Sequence, residues 1–393
     1  GSGTFVADHL PHLAPPPKRR APAAPAPKPW VAFQPGLPDP ALFPHRLWAR
    51  TLERVWRNPA PGLLAQPDAF GWYPLRQAIC DHLSVWRGLS CAPEQVLITG
   101  GASEAIDIIC HAVLKPGDLA AVEDPGWHPL RSVLARSGLD QRPHRIDAQG
   151  LNAAQLPDGV AAVFVTPSRH FPTGTVMPLA RRLALLDWAA HNRALVVEDD
   201  YDSEFRYRGQ PLPSLAGLDG LKSTIYLGSF SKLLNPALRI GYLVLPEAHI
   251  APIRAHVRDC GTRASLVPQP ALAEFMQSGD FATHLRRMRR TYAKRQASLV
   301  RALEGAAGYL DVRNDPSGMH LCCDLRGGIG VSDAEISARA TEQGLCVRAL
   351  SSHAVLPDPP EALLLGYAAF DEATLGRAAT TLVAVLRDLA KPL

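Results

Sequence analysis

The chain has 393 residues, 47% of them hydrophobic and 20% charged, with 41 basic against 37 acidic side chains for a net charge of +4. That composition can bury a core and excludes wholesale disorder, while the charge is too small to argue for a nucleic-acid coat along the whole chain. No apolar run reaches the ~18 residues a membrane helix needs, and the N-terminus lacks the charged-then-apolar opening of a secretory signal.

The chain opens on GSGTFVA without an initiator Met and then enters residues 11–29, which hold eight prolines, five alanines, four Lys/Arg and no acid. Such a segment cannot bury a core and reads as a polyproline-like linker. It accounts for part of a proline count of 37, about twice the usual ~5% share. A linker joins two partners, so residues 1–10 are expected to be the end of a preceding domain. The basic cluster Lys18-Arg19-Arg20 reads first as a solvated linker feature, although a positive linker also suits a neighbour working on DNA phosphates.

From Trp30 onward helical and strand-like patterns alternate. Leu75–Trp86 is predicted as an amphipathic helix, Gln95–Ile98 as a short strand, and Ser103–Leu114 as a helix opened by a serine cap. The runs Leu119–Val122, Ala161–Val165, Leu195–Val197 and Thr224–Leu227 suit buried parallel strands, with a helix over Leu179–His191. This alternation predicts an α/β domain with a mostly parallel sheet. Past residue 250 come the helical stretches Ala271–Glu274 and His284–Glu304, then mixed strand and helix, which predict a smaller α+β domain. Seven cysteines in apolar stretches, an odd number without C-x-x-C spacing, read as small hydrophobes in a reducing compartment. A metal role for adjacent Cys322 and Cys323 is disfavoured for want of nearby ligands.

Four short segments at strand ends carry chemistry. Gly228-Ser229-Phe230-Ser231-Lys232 places a lysine where burial and neighbours can bring its amine toward neutral pKa, and the two hydroxyls with Arg239 suit a phosphate. Val196 to Tyr201 puts Asp199 at the C-terminal end of an apolar strand, where a buried carboxylate needs a cation such as a pyridinium nitrogen. Gly100-Gly101-Ala102-Ser103 joins a strand to a helix N-terminus able to hold a phosphate, and Asp124-Pro125-Gly126-Trp127 offers a flat ring for stacking. Each segment is weak alone, since a lone S-x-S-K is more often a surface loop. The ordered set is not.

The phrases GWYPLRQAI, QVLITGGASEAID, VEDPGW, VTPSRHFPTG, VVEDDYDSEFRY, GSFSKLLNPALRIGY and HLRRMRRTYAKR resemble the fold type I pyridoxal 5'-phosphate (PLP) proteins of the aspartate aminotransferase group, from about Trp30 to the C-terminus. More narrowly, the chain resembles the aminotransferase-like domain of MocR/GabR-type, GntR-family transcription regulators, and GSGTFVA resembles the last strand of their winged helix-turn-helix. The resemblance implies a winged-helix remnant at 1–10, a linker at 11–29, a PLP-binding large domain at 62–250 with a mostly parallel sheet, and a small α+β domain from 30–61 and 251–393. It implies further that Lys232 forms the internal aldimine with PLP, Asp199 pairs with the pyridine nitrogen, Tyr201 bonds the ring hydroxyl and Trp127 stacks on the ring. Gly101, Ala102, Ser103, Ser229, Ser231 and Arg239 would surround the phosphate, in a homodimer with shared sites.

Three departures qualify this. The family's cross-subunit tyrosine position reads Trp72 followed by Tyr73; Phe171 stands where aminotransferases keep an asparagine; and Leu363 to Tyr367 offers no arginine for a substrate carboxylate. Arg131 and Arg348 are possible substitutes, although exposed arginines are the commoner case. His170 and His353 read first as surface or outer residues, and Gly327 to Gly330 as a turn. The basic run from His284 to Arg295 reads first as a solvated helix with Leu285, Met288, Tyr292 and Leu299 facing the core, and second as a DNA backbone contact.

Two functions follow. The chain is expected to be a cytoplasmic, PLP-binding effector-sensing domain of a bacterial regulator, exchanging its aldimine with an amine or amino-acid ligand at Lys232 and meeting DNA only through an N-terminal winged helix. The alternative is an active PLP-dependent aminotransferase. Both need the same lysine, aspartate and phosphate cradle; the linker, the wing-like opening and Phe171 favour the sensor.

Overall fold

The computed structural model describes residues 30–390 except 66, 67, 211, 314 and 328, so the expected wing remnant and linker lie outside the described residues. Strands β1 (Val96–Thr99), β2 (Leu119–Asp124), β3 (Asp140–Arg145), β4 (Val160–Val165), β5 (Leu195–Asp200), β6 (Thr224–Ser229) and β7 (Gly241–Val244) form one sheet in the order β1-β7-β6-β5-β4-β2-β3. All run parallel except β7, which lies antiparallel between β6 and β1. β4 and β6 hardly alternate in polarity because both faces of the sheet are covered.

Helices α1 (His45–Arg57), α2 (Pro61–Leu64) and α3 (Tyr73–Arg87) precede the sheet, and α4 (Ala102–Ala112), α5 (His128–Arg136), α6 (Leu179–Asn192) and α7 (Leu215–Asp219) alternate with its strands. α4, α5 and α8 (Glu247–Cys260) bury Ile109, Val133 and Ile253 against Val122, Phe164, Val197 and Leu227 on one face. On the other face α6 and α7 bury Leu185, Ala189 and Leu215 against Ala121, Val163 and Val196. α8 lies across residue 250 and packs back onto α4.

Helices α9 (Gln269–Gln277) and α10 (Asp280–Ala302) lead to a four-stranded antiparallel sheet, β10-β11-β9-β8. It is built from β8 (Leu310–Val312), β9 (His320–Leu325), β10 (Arg348–Ala349) and β11 (Ala362–Gly366), with α11 (Asp333–Glu342) and α12 (Glu372–Leu389) packed beside it. On α10 the residues Leu285, Met288, Tyr292 and Leu299 are all buried, as their helical spacing requires. Cys322 and Cys323 follow one another on β9 and join different apolar clusters. Successive strand side chains face opposite ways, so the pair cannot grip one ion. Among the described residues no helix is long and apolar enough to cross a membrane.

Three local expectations are corrected. α4 begins at Ala102, with Gly101 as its N-cap at φ +121°, and Ser103 lies inside the first turn instead of capping it. β3, with the sequence DQRPHR, was not expected as a strand: it is polar because it is an edge, where Pro143 removes no needed ladder bond. α10 starts at Asp280, four residues before the predicted His284.

Candidate functional site

The period of two along β5 divides three consecutive acids between two environments. Glu198 and Asp200 face α6 and α7, where they meet buried arginines: Arg87 Nε lies 2.7 Å from Asp200 Oδ2, and Arg182 Nη1 lies 4.0 Å from Glu198 Oε1. Tyr226 and Ser203 donate hydroxyl hydrogen bonds to Asp200 at 2.7 and 2.9 Å. Asp199 points the other way, into a cavity shared with Val197, Trp127 and Phe171. Its Oδ1 is buried without a hydrogen-bond partner. Burial first, then the charge of Asp200, push this carboxyl up to about 7 in spite of Lys232. A buried carboxylate in this state is best completed by a cation or a proton donor.

Lys232 lies in the turn that follows β6. Phe230 N–H bonds Ile240 O at 3.1 Å and Leu234 N–H bonds Phe230 O at 2.9 Å, which fixes the turn, and His284 Nε2 from α10 lies 3.0 Å from Leu233 O. Lys232 Nζ donates to the carbonyl of Gly36 at 2.5 Å. Gly36 has φ +74°, and a Cβ there would sit 3.0 Å from Nζ, so glycine lets the amine approach. Burial lowers the Lys232 pKa, opposed by Asp202 and Asp199.

The sheet register gathers the phosphate candidates. Gly241 of β7 pairs with both Thr99 at the end of β1 and Ser229 at the end of β6. A Cβ on Gly241 would stand 3.0 Å from Gly101 Cα, so the turn that opens α4 rests directly on this strand. The first-turn N–H groups of Ala102 and Ser103 have no intrahelical acceptor, and a Cβ on Gly101 would meet nothing within 4 Å. Ser231 N–H donates to Ser229 Oγ at 3.2 Å, curling the loop over the same corner. Arg239 follows in a left-handed conformation (φ 51°), exposed, and its guanidinium makes no hydrogen bond or ion pair with the described residues.

Phe171 connects the cavity to its rim, packing edge-on against Tyr201, His320 and His353 at 5.9, 5.9 and 5.4 Å. Arg169, which sequence reasoning did not single out, holds Tyr201 in place: its Nη1 donates to the phenol oxygen at 3.0 Å and lies 3.2 Å from Asp202, while Nε reaches Asp315 at 2.8 Å. Burial disfavours the Arg169 charge, but Asp315, Tyr201 and Asp202 reverse that and keep the guanidinium protonated. Burial first, then Asp202, push the Tyr201 phenol well above its ordinary value, leaving it a hydrogen-bond donor. Arg169→Met should therefore cost on the order of 3 kcal/mol, because Asp202 and Asp315 would stay buried without their cation. Urea denaturation of wild type, Arg169→Met and Arg169→Lys checks this, with the lysine variant expected in between.

Several side chains stand apart from the expected picture. His170 is fully buried, its Nδ1 2.8 Å from Thr173 Oγ1, and burial followed by Arg313 hold it neutral at about 3. It lies 3.6 Å from Glu123, whose carboxyl burial pushes up to about 7. His353 is half-buried over Phe171, with both ring nitrogens unpartnered. Arg131 is half-buried and donates to the His353 carbonyl at 3.0 Å, whereas Arg348 is exposed. Leu363, Leu364, Leu365 and Tyr367 are fully buried, with the Tyr367 hydroxyl on Gly318 O at 2.8 Å. Trp72 is the N-cap of α3, its backbone N–H donating to Gln269 Oε1 at 2.8 Å, and Tyr73 is 49% exposed. Among the described residues no group of three or more His, Cys, Asp or Glu side chains could hold a metal ion.

The aminotransferase class I and II family matches residues 48–382. The regulatory protein MocR of Rhizobium meliloti is 36% identical over 348 residues, covering 88% of this chain and 70% of that protein. The HTH-type pyridoxine biosynthesis transcriptional regulator PdxR of Corynebacterium glutamicum is 33% identical, covering 95% and 81%. Among solved structures, the α-aminoadipate aminotransferase LysN of Thermus thermophilus, complexed with N-(5'-phosphopyridoxyl)-L-leucine, is 26% identical with a TM-score of 0.81, covering 91% of this chain and 92% of its own. The kynurenine aminotransferase of Pyrococcus horikoshii has a TM-score of 0.82 at 24% identity, covering 92% of both chains.

Proposed function

The chain belongs to the aminotransferase class I and II family, in company with HTH-type regulators such as MocR and PdxR, and from that premise we propose that it is the PLP-binding, effector-sensing domain of a transcription regulator. The observation that carries the cofactor reading is the unpartnered Asp199 Oδ1, buried at a strand end in the electrostatic reach of Lys232. A pyridine nitrogen is the complement such a carboxylate lacks. PLP, when bound, supplies an aldehyde that combines reversibly with primary amines and a ring that withdraws electrons.

The chain's own residues have separable roles in this reading. Lys232 is the amine nucleophile, its burial favouring the neutral form. Asp199 holds the proton of the ring nitrogen, Tyr201 donates to the ring hydroxyl, and Trp127 covers the ring face. The N–H groups of Gly101, Ala102 and Ser103, the hydroxyls of Ser229 and Ser231, and Arg239 hold the phosphate. With phenylalanine at 171, Tyr201 would be the side chain that donates to a ring hydroxyl, and Arg169 fixes that phenol.

Sensing over turnover is supported by the absence of any cation on Leu363 to Tyr367, which leaves a substrate carboxylate without a fixed anchor there. Transmission would use two tethers of the Lys232 turn: Gly36 O, close behind the linker, and Leu233 O on His284 of α10. An amine ligand that frees or occupies Nζ changes what the 30–36 segment is tied to. In the full regulator a separate winged-helix domain reads the operator, and the protein works as a cytoplasmic homodimer; Tyr73, exposed at the start of α3, is the candidate cross-subunit contact.

The test is spectroscopic. Purified protein with PLP is titrated with amines and amino acids, and keto-acid product is assayed in parallel. Saturable spectral change with at most one product per site is expected; sustained multiple turnover would assign the chain to the aminotransferases that act as enzymes.

A further inference from the structure

α10 carries the densest charge of the chain, and the arginines of its first half make no ion pair with a carboxylate of the described residues. Arg286, Arg287 and Arg290 are exposed, and Arg289 is half-buried with its guanidinium 4.4 Å over the Trp86 ring. Arg206 faces them across a cavity also lined by Arg286, Arg289, Arg290 and Thr283. None of these five arginines forms an ion pair with a carboxylate of the described residues, whereas further along the same helix Lys294 pairs with Glu372 at 3.3 Å and Arg295 with Asp39 at 2.7 Å. Arg206 Nε is buried and unpartnered, and the Arg286 guanidinium has only the hydroxyl of Thr283, 2.8 Å away. Arg289 is pulled down from its ordinary pKa by burial, opposed by Glu204 and reinforced by Arg286.

A core-facing stripe explains the other side of α10 but not this concentration of like charge, which costs folding free energy unless something neutralises it. From residue 283 to 293 the cationic face extends about 15 Å at 1.5 Å per residue. That length exceeds a single small anion and matches a row of phosphates on a duplex. We infer that the α10 arginine face is a sequence-independent docking surface for the phosphate backbone of double-stranded DNA, separate from the operator-reading domain. The inference does not rest on the cofactor reading, because none of these arginines lines the cavity of Asp199 and Trp127. Such a face would hold the domain against DNA beside the operator and add affinity without adding sequence preference.

The experiment is fluorescence anisotropy with the 393-residue, PLP-saturated chain and a labelled 30-base-pair duplex of arbitrary sequence, between 50 and 200 mM salt. Removing two phosphate contacts with Arg286→Gln/Arg290→Gln should lower the salt slope by about 1.8, so that wild type loses about 12-fold more affinity than the variant over that range. Arg286→Lys/Arg290→Lys should restore most of the slope. Basic residues of the 11–29 segment are the same in all three proteins and cancel. Circular dichroism and the bound-cofactor spectrum, unchanged in both variants, show that the fold is kept. Equal slopes for wild type and the glutamine variant, or no duplex binding by wild type at 50 mM salt, overturn the inference. So does calorimetric binding of inorganic tripolyphosphate that the glutamine variant loses while duplex binding is unaffected, which would make the groove a small-polyanion site.

Discussion

Lys232→Ala is expected to abolish covalent retention of PLP while leaving the fold intact. In wild type, borohydride treatment followed by mass spectrometry should find one cofactor fixed per chain; in the variant, none. The reason is chemical singularity: no other lysine lies among the residues gathered at the ends of β1, β5 and β6. Burial lowers the Lys232 pKa, which raises the fraction of neutral amine at pH 7 to 8. Lys232→Arg is the control, since it keeps a cation beside Asp199 and Asp202 but cannot act as the nucleophile. It should also retain no cofactor covalently. The residues proposed to hold the phosphate are untouched in either variant, so equilibrium dialysis should still detect non-covalent binding, weaker than in wild type. Fixation of cofactor in Lys232→Ala at the wild-type level would remove Lys232 from the centre of the site.

Much of this candidate site is legible in the sequence because the residues proposed for it lie at strand ends, where short local phrases carry the information. Gly101, Trp127, Asp199 and Lys232 each follow an apolar run, and the order of those runs is the order of β1, β2, β5 and β6. What could not be read is what long-range packing decides. Arg87, Arg169 and Arg182 are each almost wholly buried, against the ordinary behaviour of arginine, because acids distant in sequence meet them; Asp315 lies 146 residues from Arg169. VEDD contains three acids, and no composition or periodicity of the segment alone says which one lacks a partner. Only the pairing of Asp200 with Arg87 and of Glu198 with Arg182 leaves Asp199 as the acid of the three without an arginine. β3 was missed for the opposite reason: an edge strand has no need of apolar side chains, and so carries no apolar signal.

Asp199→Asn should separate the stability of the empty protein from its hold on the cofactor. In the free protein burial and Asp200 push the Asp199 carboxyl up to about 7, against about 3.9 in an unfolded chain. Below pH 4 both states are protonated and the group costs nothing. As pH rises from about 4 to 7 the unfolded chain gives up this proton while the folded one keeps it, so stability falls, by up to roughly 4 kcal/mol once pH passes 7. Asparagine does not titrate, and the empty variant should be the more stable of the two at pH 8, with a flatter profile between pH 4 and 7. Asp202, also pushed up to about 7, tilts both proteins alike; Glu123 is raised in part by the Asp199 charge, so the variant relaxes it as well and the difference between the two profiles belongs to Asp199 together with its coupling to Glu123. PLP should reverse the order. If Asp199 faces the ring as proposed, a protonated ring nitrogen would recover the free energy that burial costs, and the neutral amide would forfeit a charge-assisted bond of about 1.5–3 kcal/mol, or roughly 10- to 150-fold in affinity. Urea midpoints from pH 4 to 8, with and without saturating PLP, measure both effects on the same two proteins. Parallel profiles for the empty proteins would mean that Asp199 is not the strained acid of β5, and equal cofactor-induced stabilisation would mean that it does not face the ring.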